Sequence, residues 1–351
     1  MSSNASVLTP DLLAAKGALA ARLLPRSQEP APRAPALRME DAVAAASHNV
    51  LAVGIGRKIV HGSATETTGL KVYVVQKLAL SALPEQARLP ETFSGIPVDV
   101  VEAPPSYLMG WPYGVTPCSA IRRRQQRPVT AGISAAHGAL TAGTVGGFFR
   151  STRAGDDPSR ILVLSNNHVF ANVNLGCLSD GLYQPGPADG AVKQDLFARL
   201  ARFVPLYTDG KTPNRVDAAV GELLDSIPFK LEICTIGRIQ GVRRATQDML
   251  VRKHGRTTGY TAGIVTDESV DALVRLNGQD QVGLFQDQMR IEAIAPHFAI
   301  GLPGDSGSLI IDRSRLEAVG LFFAGPPSGS YGYANHIEHV LTDLELRIWE
   351  E

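Results

Sequence analysis

Residues 301–311 read GLPGDSGSLII, a serine set between glycines and followed at once by an apolar strand. A nucleophilic hydroxyl needs a tight turn that presents its Oγ. It also needs backbone N–H groups aimed at the oxyanion that forms on the carbonyl it attacks. Gly304 permits the turn that swings its own N–H inward, and Gly307 lets a bound chain approach without a Cβ in the way. Asp305, buried beside such a serine, would hold the turn through an ion pair. The same letters also suit a polar hairpin turn, so the reading depends on what surrounds them.

Two more glycine-punctuated strands flank the serine, VRKHGRTTGYTAGIVTD at 251–267 and EAVGLFFAG at 317–325. Further upstream, RILVLSNNHVF (160–170) is an apolar strand that ends in small polar residues and then His168. A general base placed there faces a cleft rather than a core. NRVDAAVGEL (214–223) carries Asp217 on a short strand, where a buried carboxylate could orient the imidazole. Taken singly, a strand-end histidine and a strand-edge aspartate are ordinary structural residues. From Leu140 onward the chain reads as short strands parted by Gly, Pro and Asp, closed by one helical stretch, IEHVLTDLELRIWE. That pattern predicts a mainly β architecture of two packed antiparallel barrels.

Order and spacing join these signals. His168 precedes Asp217 by 49 residues, and Asp217 precedes Ser306 by 89. His, Asp, Ser is the order of one of the known triad lineages, whereas other serine hydrolases run differently. From Leu140 to the end the chain resembles the trypsin/chymotrypsin superfamily. Its GRTTGY strand is similar to that of the bacterial α-lytic protease and streptogrisin branch. The resemblance implies two six-stranded barrels, His168 and Asp217 on the first and Ser306 on the second. It further implies peptide-bond hydrolysis through an acyl-enzyme, without a metal or organic cofactor. The N–H groups of Gly304 and Ser306 would form the oxyanion hole, and Ile300, Phe323 and Gly325 would line the substrate pocket. Lys253, three positions before Arg256 of GRTTGY, would pair with Asp305, with Arg256 as the alternative. Pocket residues without an acid predict cleavage after small or medium apolar side chains. The chain departs from the family in having Val169 where a cysteine often follows the histidine, and Phe323 where many relatives carry serine. The rival reading is an inactive homologue that binds partners through the same cleft.

The remaining sequence sets the frame. The 351 residues carry 34 Lys+Arg against 34 Asp+Glu, so no global field favours nucleic acid or an anionic membrane. Protein or peptide is the expected partner. Cys118, Cys177 and Cys234 are too scattered for a zinc site and odd in number, which predicts buried thiols in a reducing compartment. Residues 11–24 are amphipathic, broken by Lys16 and Arg22, unlike a signal peptide or membrane span. A cytoplasmic location follows as an expectation. Residues 1–40 should hold a helix and a Pro-rich linker, and 41–105 a small α/β domain. A connector at 106–139 should follow, then barrels at 140–235 and 236–351. The basic run Arg122–Arg124 with Arg127 reads as a solvated loop, and 1–139 as a possible regulatory region.

Overall fold

The computed structural model describes residues 8–24, 49–60, 63–75, 77, 83, 85, 88–103, 107–108, 120–276 and 281–349. The Pro-rich stretch 25–37, expected as a linker, lies outside these.

Helix α1 (Pro10–Leu23) begins where the Thr9 hydroxyl accepts the Leu12 N–H at 3.3 Å, with Pro10 in the first turn. Ala15, Leu19 and Ala20, spaced by helical turns, bury against Val53, Ile55 and Val72 of a small sheet. That sheet comprises β1 (Val50–Val60), β2 (Ser63–Val74) and β3 (Ile96–Glu102). Strand β2 pairs antiparallel with β1 and parallel with β3. Its alternation is legible: Leu70, Val72 and Val74 face α1, while Tyr73 joins a second cluster with Phe323 and Tyr333. A two-residue strand, β4 (Tyr107–Leu108), follows.

The first barrel comprises β5 (Ser134–His137), β6 (Gly143–Thr144), β7 (Gly147–Ser151), β8 (Leu162–Ser165), β9 (Gly181–Tyr183), β10 (Leu196–Phe203) and β11 (Ala219–Leu223). Strands β6 and β7 are two halves of one bent strand that pairs with β5 at one end and β8 at the other. From β8 the ring continues through β11, β10 and β9 back to β5, antiparallel throughout. The second barrel comprises β12 (Leu250–Gly255), β13 (Gly259–Leu276), β14 (Gln281–Ala293), β15 (Leu309–Asp312), β16 (Glu317–Gly325) and β17 (Tyr331–His336). It closes as β12, β13, β14, β17, β16, β15 and back to β12. Counting the bent strand once, both rings run first, second, third, sixth, fifth, fourth. Closure of this kind leaves each barrel with no open edge.

Several expectations change here. The first barrel starts at Ser134, inside the stretch expected to be a connector. Ser134, Ala135, Ala136 and His137 are buried on both faces, so the strand shows no alternation to read. The final stretch is helical only over α3 (Ile337–Asp343). Glu345 turns with φ of +49°, and Leu346–Arg347 pairs with β7 instead. Burial of Leu346 in the first barrel's core and the stacking of Arg150 on Trp349 at 4.0 Å favour that course. Cys177 is exposed and Cys234 half-buried, both free thiols, while Cys118 lies outside the described residues. Arg127 is half-buried on Gln184 rather than solvated, and of the run only Arg124 is exposed.

The small sheet is not set apart from the barrels. Strand β1 pairs antiparallel with the long β13, Ala52 opposite Ala272. Buried charges cross the junction: Lys16 meets Asp271 at 2.7 Å, and Lys71 meets Asp267 at 3.7 Å. The Tyr73 hydroxyl donates to Asp267 at 2.7 Å. Strand β4 lies between two strands of the second barrel, parallel to β13 and antiparallel to β16. No described helix is long and apolar enough to cross a membrane.

Candidate active site

Strand β8 ends at Ser165, and extended Asn166 opens the single turn α2 (Asn167–Phe170), which carries His168. Asp217 precedes β11 among buried Val216, Ala218 and Ala219. Its Oδ1 accepts the His168 backbone N–H at 3.1 Å, and its Oδ2 is hydrogen-bonded to the imidazole Nδ1. An ionised carboxylate only accepts, so the ring proton sits on Nδ1 and the Nε2 lone pair points away. Nε2 is buried with no described hydrogen-bond partner. Two asparagines hold the aspartate's backbone: Asn335 Oδ1 accepts the Asp217 N–H at 3.1 Å, and Asn166 Nδ2 donates to the Asp217 carbonyl at 2.7 Å. Asn335 is itself fixed by Gln288 Oε1 at 2.6 Å. Sequence reading missed this support, because single asparagines far apart in the chain carry no spacing signal.

Ser306 stands on a turn whose conformation only glycine permits, with φ of +99° at Gly304 and +93° at Gly307. A Cβ on Gly304 would lie 2.5 Å from Thr257 Oγ1, and one on Gly307 would lie 2.2 Å from Ser165 Oγ. The first barrel braces the turn. The Thr144 N–H donates to the Ser306 carbonyl and its hydroxyl to the Gly304 carbonyl, both at 2.8 Å. Behind Thr144, a Cβ on Gly143 would lie 2.5 Å from Val169 Cγ1. Strand β6 therefore touches both the serine turn and the helical turn of His168. Among the described residues, the N–H groups of Gly304 and Ser306 have no acceptor. The Ser306 Oγ donates to the Phe323 carbonyl at 3.3 Å.

Asp305 is fully buried and surrounded by donors. The N–H groups of Thr257 and Thr258 approach Oδ1 at 2.8 and 3.1 Å, and the Thr258 hydroxyl and Leu302 N–H approach Oδ2 at 2.8 and 2.9 Å. Lys253 Nζ, also fully buried, lies 3.4 Å from Asp305 Oδ2 and donates to Thr258 Oγ1 at 2.6 Å. Arg256 turns instead to Asp189, which accepts from Nε at 2.8 Å.

Next to Lys253, buried His254 meets the Gly132 carbonyl through Nδ1 at 2.9 Å. Burial and then the Lys253 charge hold its pKa down at about 4. His336 is lowered too, first by burial. Both stay neutral in the folded chain where the unfolded chain would bind protons, so stability falls as pH drops from about 6.5 toward 4. Melting followed against pH should show this loss, and His254→Gln should flatten the slope by up to one proton, roughly 1.4 kcal/mol per pH unit. Equal slopes in both proteins would refute the assignment.

The pocket residues do not come together as expected. Ile300 packs with Val265, Met289 and Phe322, whereas Phe323 packs on the other side of β16, its ring 4.7 Å from that of Phe285. Strand alternation is the cause, since neighbours on β16 face opposite ways. The residue on the Ile300 side is Phe322. Its ring reaches 2.5 Å from where a Gly301 Cβ would be and 2.2 Å from where a Gly332 Cβ would be. It fills the slot between those glycines, behind the serine turn. Gly325 closes β16 opposite Tyr107 of β4.

Two antiparallel barrels that share one strand order make this the chymotrypsin-like double β-barrel fold. Among solved structures, the chain is similar to Thermobifida fusca protease A, at 16% identity and TM-score 0.43, covering 64% of this chain and all of that one. A Cellulomonas bogoriensis chymotrypsin matches at 16% identity and TM-score 0.42, covering 64% and 99%. Nocardiopsis protease matches at 15% and 0.43, covering 63% and 99%. No protein-family model matches the chain, and the curated proteins yield no match.

Proposed function

We propose that this chain is a serine endopeptidase, with Ser306 as nucleophile, His168 as general base and Asp217 as the group that orients it. The observation that carries the reading is the pairing of His168 with buried Asp217, which leaves Nε2 without a partner, beside a serine turn braced through β6. Ser306 Oγ attacks the scissile carbonyl as His168 Nε2 takes its proton. The unpaired N–H groups of Gly304 and Ser306 receive the oxyanion. The imidazolium then protonates the leaving amine, and water hydrolyses the ester. The substrate is protein or peptide. A small fluorophosphonate tests this: it should label the native chain and not Ser306→Ala. A native chain that stays unlabelled would instead be a partner-binding homologue.

Side-chain preference follows from the filled slot. With Phe322 between Gly301 and Gly332, only small or unbranched apolar side chains fit before the scissile bond. Phe322→Ala should open the slot and raise kcat/KM for Phe or Tyr at that position at least tenfold, with Ala substrates little changed. Profiling on a peptide library decides it. An unchanged profile, or a native preference for Arg or Lys, would remove Phe322 from the pocket.

A further inference from the structure

The two N–H groups of the serine turn that lack an acceptor, on Gly304 and Ser306, belong to peptide bonds held in different ways. A peptide bond is planar and trans, so its C=O and N–H point in opposite directions, and fixing one aims the other. The Asp305 carbonyl, in the same peptide as the Ser306 N–H, accepts from the Ser308 N–H at 3.1 Å and from its hydroxyl at 2.6 Å. Those donors lie on the turn itself, so that half of the arrangement is held locally. The Pro303 carbonyl, in the same peptide as the Gly304 N–H, meets a single donor among the described residues, the Thr257 hydroxyl at 2.6 Å. Gly304 has φ of +99° and no Cβ to oppose rotation, so its peptide can turn over with little resistance once that hydroxyl lets go.

The first barrel aims the hydroxyl. Thr257 Oγ1 accepts from Arg256 Nη1 at 3.2 Å, which leaves its own proton for Pro303. Arg256 Nε and Nη2 donate to the two oxygens of Asp189 at 2.8 and 2.5 Å, a bidentate pair of buried side chains. Asp189 closes the turn Pro187–Asp189 after β9, and its Oδ2 also accepts the Ser134 hydroxyl of β5 at 2.6 Å. The Arg256 N–H donates to Thr144 Oγ1 at 3.0 Å, the same hydroxyl that donates to the Gly304 carbonyl. Residues of the first barrel thus fix Arg256 at both its guanidinium and its backbone.

Resting on the peptidase reading above, we propose that Thr257 is a positioning residue for the oxyanion hole, a latch on the Pro303–Gly304 peptide, and that Asp189 sets it through Arg256. Both act through Gly304 rather than on the substrate. With the latch closed, the Gly304 N–H faces the oxyanion. With it open, the peptide also samples the orientation that turns the Pro303 carbonyl inward, where it repels the oxyanion. The hole on the second barrel is therefore completed by an acid of the first.

The test compares the full-length native chain with Thr257→Val, Thr257→Ser and the paired variant Asp189→Asn/Arg256→Gln, which removes two buried charges together. Rates are measured on an added peptide, with active sites counted by fluorophosphonate. Binding of a peptide aldehyde, which forms a tetrahedral adduct on the serine, is set beside binding of the matching peptide alcohol, which does not. Thr257→Val keeps the side chain's shape and should lower kcat and aldehyde affinity together by about 10- to 100-fold, toward the loss of one oxyanion donor. KM and alcohol affinity should stay within about twofold, because the oxyanion exists only in the transition state. Thr257→Ser should recover most of the loss, which a packing role would not predict, since serine lacks the methyl group. The paired variant should lose about tenfold in the same two quantities, and the triple variant should be no slower than Thr257→Val alone. If the paired variant does not fold, Arg256→Lys, which keeps the charge but not the fork, takes its place with the same expectation. Thr257→Val with native kcat and aldehyde affinity overturns the latch and leaves the peptidase reading intact. A loss carried by KM, or one that Thr257→Ser fails to recover, does the same. Losses that add in the triple variant would overturn the part assigned to Asp189. A native chain that takes up no fluorophosphonate and cuts no peptide defeats both readings.

Discussion

Replacing Ser306 or His168 by alanine should lower peptide turnover by on the order of 10⁴–10⁶, the scale set by removing one member of a serine triad. The two losses should not add, because both residues serve one proton transfer. The double variant should be about as slow as either single one. Asp217→Asn should cost about 10⁴. Asp217 accepts from both Nδ1 and the backbone N–H of His168, and an amide can present its NH₂ to Nδ1 and hold the wrong tautomer. Melting should show Ser306→Ala as stable as the native chain. Asp217→Asn keeps the shape but changes a buried charge. Rates measured on an added peptide check the series. Turnover of His168→Ala within tenfold of native would remove it from the chemistry.

Lys253→Met should lower kcat by on the order of 10²–10³ with little change in KM. Asp305 is buried, and Lys253 is the cation beside it, at 3.4 Å. Leaving a buried carboxylate without its partner costs about 3–5 kcal/mol, so the turn should rearrange or take up a proton. Gly304 precedes Asp305 directly and holds φ of +99°, so a shift there moves its N–H away from the oxyanion. The oxyanion exists only in the transition state, which places the loss in kcat. Four donors besides Lys253 already approach the Asp305 carboxylate, the N–H groups of Thr257, Thr258 and Leu302 and the Thr258 hydroxyl, and these are the alternative means of holding the turn. Stopped-flow or steady-state rates with a fluorophosphonate-titrated enzyme decide between these: undiminished kcat would assign the turn to the Thr257–Thr258 donors. Lys253→Arg should recover part of the rate, which a purely packing role would not predict.

Sequence by itself was enough for the order His168, Asp217, Ser306, for the glycines at 304 and 307, and for a mainly β chain. Those features are local: each glycine answers a backbone angle, and each strand announces itself by a few apolar residues between turns. Lys253 was singled out differently, through the resemblance of its GRTTGY strand to the α-lytic branch. Tertiary structure alone decided the rest. Phe322 rather than Phe323 fills the slot because alternation along β16 is measured against Gly301, from a loop, and Gly332, from β17. Strand β5 was hidden by burial on both faces, which erases the period-two pattern. Asn166 and Asn335, the latter fixed by Gln288, meet at Asp217 only when the two barrels are brought together. The amino-terminal sheet merged with β13, and Tyr107–Leu108 came to lie on β16, through backbone pairing between residues some two hundred positions apart. Backbone hydrogen bonds of that kind are nearly blind to side-chain identity, so register across such a distance leaves no mark in the order of the residues.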